Sequence, residues 1–154
     1  MAIAKKAAPK DAIAMLKADH KKVSGLFAEF EKARAATTKK RLVSTICHEL
    51  SLHAQVEEEV FYPAVKTALK DKELIPEAVV EQATMKDLIA QIEGAEPEGE
   101  MYDAKVKVLS EYVKHHVKEE HTEMFPKAAT TRLDMMALGA AMAARKSELL
   151  AADH

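Results

Sequence analysis

The sequence predicts an all-α protein, an antiparallel up-down four-helix bundle with a short additional C-terminal helix. Three observations predict it. Apolar residues recur at three- and four-residue spacing in five segments. The chain is rich in Ala, Leu, Glu and Lys, with 48% hydrophobic but only 5% aromatic residues, a mixture of helix formers. Its 154 residues suffice for one domain with a core of its own. Short loops between the long helices imply antiparallel neighbours. The domain is expected over residues 11–151, behind a flexible lead-in at 1–10.

Asp11 is a candidate N-cap for a first helix in which Ala12, Met15, Leu16, Val23, Leu26, Phe27 and Phe30 recur until about Ala35. Thr37 and Thr38 suit a turn and cap. A second helix holds Leu42, Val43, Ile46, Leu50, His53, Val56, Glu57, Val60 and Phe61. It runs past Pro63, which should kink it or open a separate short turn. Pro76 suits the first position of a third helix, with Val79, Met85, Leu88, Ile89 and Ile92 on one side and Gly94 as its stop. Residues 95–99, with Pro97, read as a loop. The fourth helix carries Met101, Val106, Val108, Leu109, Tyr112, Val113, His116 and Val117 and reaches Pro126. Thr131 and Asp134 resemble a capping box for a terminal helix with Leu133, Met136, Leu138, Met142 and Leu149, packed outside the bundle.

Composition narrows the function classes. The formal charge is −2 with acids and bases interspersed, so neither nucleic acid nor a membrane surface is indicated as a partner. Cys47 is alone and lies in an apolar helical stretch, which reads as a buried, inert thiol. The expected compartment is the cytoplasm. No run approaches the roughly 20 apolar residues of a membrane span. Phosphate loops of the G-x-x-x-x-G-K type and nucleophile triads are not found, which disfavours nucleotide and ordinary hydrolase chemistry.

The informative feature is a repeat. His53 and Glu57 match His116 and Glu120, so His-x-x-x-Glu occurs twice, each time with a proline ten residues after the His. Helical residues four apart share a face, roughly 5 to 6 Å between Cβ atoms, so each motif can direct an imidazole and a carboxylate at one ion. Carboxylates can also bridge two ions. Such mixed ligands suit iron, manganese or zinc, with iron the best fit. The repeat extends backward: His20 lies 33 residues before His53, and Gln82 lies 34 before His116. The chain reads as two copies of one helical hairpin, each giving half of a central site.

These residues resemble the hemerythrin family, in its bacterial branch named for a His, His and Glu cation-binding signature; the likeness covers about residues 11–150. It implies a four-helix bundle around a di-iron centre. His20, His53 and His116 would be terminal ligands, with Glu57 and Glu120 as bridging carboxylates. The family's third-helix His is Gln82 here. That leaves the ion nearest His116 one nitrogen short, to be held by Gln82, water or a neighbour, or lost to leave a single-ion site. The resemblance also implies dioxygen, nitric oxide or peroxide as the small ligand, in stress defence. Two further readings stand beside it: a peroxide-consuming or oxygen-activating enzyme, and a metal-poor sensing or binding module.

Other polar residues are weighed by helical phase. His48 and His115 fall off the ligand stripe and should face solvent, as should His121, which is also the most credible substitute ligand. Glu49 and Tyr112, one turn before the two ligand histidines, are expected to back the site from a second layer. Met85 reads as core filler, and Glu58, Glu59, Glu119 and Glu123 as a solvated face.

Overall fold

The computed structural model describes residues 11–152; the expected lead-in at 1–10 and His154 lie outside them. Among the described residues seven α-helices follow in order: α1 (Ala12–Lys32), α2 (Ala36–Val56), α3 (Tyr62–Leu69), α4 (Leu74–Glu93), α5 (Glu100–Glu119), α6 (Phe125–Ala129) and α7 (Met135–Ala152). α2 passes into α3 through a π turn at Glu57–Phe61, and α5 into α6 through another at Glu120–Met124. The four bundle rods are thus α1, α2–α3, α4 and α5–α6. α7 packs across α1, α2 and the first π turn, outside the four.

Helix starts follow from acceptors for the free N–H groups of the first turn. The Asp11 carboxylate accepts from Ala14 N–H at 2.7 Å, and Asp71 accepts from Leu74 and Ile75 at 3.2 and 2.8 Å. Asp134 accepts from Ala137 at 3.0 Å and so is itself the cap of α7. Thr131 instead binds Ala128 C=O and Leu133 N–H, which corrects the capping box expected from it. Thr37 and Thr38 lie inside α2 rather than before it. Pro76 is the third residue of α4, not the first, and is tolerated there because its N–H would have had no helical partner. Gly94 caps α4 as expected.

Pro63 and Pro126 do not break their rods. Each sits just after a π turn, at the second residue of α3 or α6. A proline removes the donor to the turn before it and crowds a carbonyl there. The widened turn relieves both: Tyr62 N–H binds Glu57 C=O, and Phe125 N–H binds Glu120 C=O, five residues back.

Two apolar clusters fill the interior. One gathers Val23, Phe27, Phe30, Leu42, Ile46, Met85, Ile92, Tyr102 and Leu109; the other gathers Ala12, Leu16, Phe61, Tyr62, Ile75, Phe125 and Met142. Between them the four rods contribute His20, His53, Gln82 and His116, one each, and the two π turns add Glu57 and Glu120. Cys47 is buried, as expected.

Candidate metal centre

Glu57, Gln82, His116 and Glu120 are at most 5% exposed, and the side chains of His20 and His53 only 8% and 10%. The phase that places them is simple. On α1, His20 falls between buried Leu16 and Val23; on α4, Gln82 falls between Ala78 and Met85. His53 Nε2 stands 2.9 Å from Glu57 Oε1, and His116 Nε2 stands 3.1 Å from Glu120 Oε1, so each His-x-x-x-Glu pair does converge. His20 Nε2 is 3.5 Å from Glu120 Oε1. Two groups of donor atoms result, His20/His53/Glu120 and Glu57/His116/Glu120, each within 4.8 Å. Glu120 belongs to both, as a bridging carboxylate must.

Among the described residues, six buried side-chain atoms have no hydrogen-bond partner: Nε2 of His20 and His53, Oε2 of Glu57, Oε1 of Gln82 and both oxygens of Glu120. Imidazole nitrogens stand close to these carboxylates without hydrogen-bond geometry. Leaving such atoms unsatisfied in an apolar interior costs several kcal/mol, and divalent cations in the two groups would satisfy all but the Gln82 oxygen. The donor set therefore fits a metal.

Two acids missed in the sequence orient the rings. Asp19 Oδ2 accepts from His53 Nδ1 and Glu81 Oε1 from His116 Nδ1, both at 2.9 Å. Ionised carboxylates only accept, so each ring carries its Nδ1 proton outward and turns Nε2 inward. The repeat held the signal: an acid immediately precedes both His20 and Gln82. Glu49 and Tyr112 do not serve this purpose. Glu49 pairs with Lys22 at 2.8 Å, and Tyr112 is 46% exposed. The buried stripes reach the histidines from three residues back, through Leu50 and Val113, so positions four back rotate outward. Of the other histidines, His48 and His115 are exposed as expected, whereas His121 is half-buried against His20. Glu58 and Glu59 face Lys86 and Arg145.

Tyr62 was also missed. Its hydroxyl lies 3.0 Å from His116 Nε2 and accepts from Gln82 Nε2 at 3.0 Å. Gln82 donates a second bond to Glu57 Oε1 at 2.9 Å, so its amide nitrogen, not its oxygen, faces the centre. Five residues beyond Glu57, Tyr62 would lie about 140° away on a regular α-helix. The π turn brings it back over Glu57. In the repeat Tyr62 corresponds to Phe125, which stacks on His20 with ring centroids 6.1 Å apart and planes 8° apart. The pairs His20/Phe125 and Gln82/Tyr62 are thus equivalents: where the imidazole is replaced, the partner ring gains a hydroxyl.

Crowding shapes the charges. Burial, and then the charge of Glu120, pushes the Glu57 carboxyl up to about 7. Burial pulls on His116, but the close Glu120 carboxylate and the other carboxylates around it hold it up at about 9, and His53 is raised likewise beside Glu57 and Asp19. His20, buried and facing His53, is lowered to about 4. Burial and the Glu57 and Glu120 carboxylates hold the Tyr62 phenol well above its ordinary range.

A cavity of about 30 Å³ adjoins the donors, walled by Leu50, Met85, Ile89, Val113 and Val117. Residues 11–128 match the family model described as hemerythrin HHE cation binding domain. A DNA nickase of Nostoc sp. (strain PCC 7120) is 31% identical over 111 residues, 72% of this chain. The chain spans only 31% of that relative's length. A crystal structure of a hemerythrin HHE cation binding domain-containing protein from Mycobacterium kansasii is 24% identical with a TM-score of 0.77, covering 90% of this chain and 86% of that one, and shows the same fold.

Proposed function

Because this chain belongs to the hemerythrin HHE cation-binding family, we propose that it is a di-iron protein that binds dioxygen, nitric oxide or peroxide in stress defence. The observation that carries the reading is the set of buried donor atoms with no hydrogen-bond partner on His20, His53, Glu57 and Glu120. His20, His53 and Glu120 would hold one ion; Glu57, His116 and Glu120 would hold the other. Tyr62 would be the sixth donor, in place of the missing third-helix imidazole, with Gln82 orienting it. Iron, when bound, supplies reversible one-electron chemistry and coordination of small oxidants. The chain's own part is to orient the rings through Asp19 and Glu81 and to wall the centre with apolar side chains.

The adjoining cavity, about 30 Å³, has room for only a few atoms, so it suits a diatomic or peroxide and is far too small for a nucleotide. That size weighs against carrying the Nostoc relative's named activity over to the buried centre. Elemental analysis of anaerobically purified, ferrous-loaded protein tests the reading, with the visible spectrum recorded after air is admitted. Two irons per chain, with a phenolate-to-iron absorption lost in Tyr62→Phe, are expected. One iron or none overturns it.

A further inference from the structure

The three donor imidazoles are backed differently. His53 and His116 give their Nδ1 protons to carboxylates, but His20 Nδ1 faces another ring, His121 Nε2, at 2.8 Å. Both rings lie against Phe125, with centroids 6.1 Å and 5.3 Å from it. A stack fixes the plane of a ring but not which edge faces inward. Turning His20 over about Cβ–Cγ would keep the stack and present carbon Cε1 to the donors in place of Nε2. Among the described residues, the one hydrogen bond that tells the two orientations apart is that at Nδ1.

Resting on the metal reading above, we propose that His121 is the positioning residue of His20. By accepting the Nδ1 proton it selects the ring orientation and tautomer that turn the buried, unpartnered Nε2 toward Glu120. It does so as a neutral acceptor, where the other two rings have carboxylates. It also lines an open groove of about 460 Å³, together with Ser24, Ala28, Val113 and Lys118, that reaches His20. His20 is therefore the least firmly backed imidazole, and its ion is the more exchangeable of the two.

The test compares the full chain with His121→Phe, which keeps a ring against Phe125 but has no acceptor, and with His121→Gln, whose amide oxygen can accept. Ring-nitrogen NMR of the metal-free proteins reads the His20 tautomer. Release of ferrous iron to a chelator from the loaded proteins reads the consequence. In wild type and His121→Gln, His20 should carry its proton on Nδ1; in His121→Phe it should shift toward Nε2. The Phe variant should then release one of its two ions about ten- to hundredfold faster, with the other unchanged. An unshifted tautomer in the Phe variant overturns the proposal, as do equal release rates in all three proteins. If wild type binds no iron, the metal reading fails and takes the role of His121 in metal binding with it; a tautomer shift seen there marks that failure as distinct.

Discussion

At the scale of single residues, His53 and His116 each hold a carboxylate at one ring nitrogen and offer the other inward. His53→Ala and His116→Ala should each weaken iron binding by more than about tenfold, whereas His48→Ala should leave it unchanged, as read by competition with a chelator. Equal losses would mean that the inward stripe is wrongly placed. Gln82→His sharpens the role of Tyr62: the new imidazole should tighten the second ion while the phenolate absorption falls, since both side chains compete for one position. Protonation gives an independent check. Glu57, raised from 4.5 to about 7, and His116, raised from 6.5 to about 9, hold protons more tightly when folded. Their contribution to the stability of the metal-free chain is full below the ordinary values and is lost as pH rises through about 7 and about 9. His20 works the other way: lowered from 6.5 to about 4, it contributes stability that is lost as pH falls between those values. An ion must displace the protons of Glu57 and His116, so uptake at pH 7 should acidify a weakly buffered solution. Uptake without proton release would show that these two side chains are not ligands.

Among the elements, α7 reaches the centre indirectly. Its Lys146 ammonium lies 3.3 Å from Asp19 Oδ1, while the other Asp19 oxygen holds His53 at 2.9 Å. Lys146→Met should therefore speed iron release by a few-fold, less than Asp19→Ala, with far-ultraviolet circular dichroism unchanged; no change in release would leave α7 as packing alone. The Asp71→Ala change removes both side-chain acceptors at the start of α4 and should cost on the order of 1 kcal/mol, seen as a lower Tm. How the rods carry the site also explains what was legible beforehand. The duplicated His-x-x-x-Glu and its phase located His53, Glu57, His116 and Glu120 in the buried centre, and the backward extension of the repeat added His20 and Gln82. Tyr62 was hidden because a period of 3.6 residues says nothing of a turn closed by i to i+5 bonds. Asp19 and Glu81 escaped because they act on rings of a neighbouring helix, which a single-helix projection does not show. Glu49 and Tyr112 misled because each apolar stripe steps by three residues, not four, just before its histidine.

Taken whole, the molecule is a polar belt clamped between two apolar clusters. Metal that binds only the folded chain must raise its Tm, by an amount that grows with free ion concentration. Melting that ignores added ferrous iron would argue against a folded-state site. The belt also has a near two-fold relation within one chain: His53, Glu57 and Tyr62 recur 63 residues later as His116, Glu120 and Phe125, and both π turns recur at the same distance. Two identical copies of such a hairpin, associated about an axis, would present the same ligands to both ions and could not distinguish them. Joining the copies into one polypeptide removes that constraint. Gln82 opposite His20, and Tyr62 opposite Phe125, are differences that no symmetric homodimer can hold, and they give the two halves of the centre separate chemical identities.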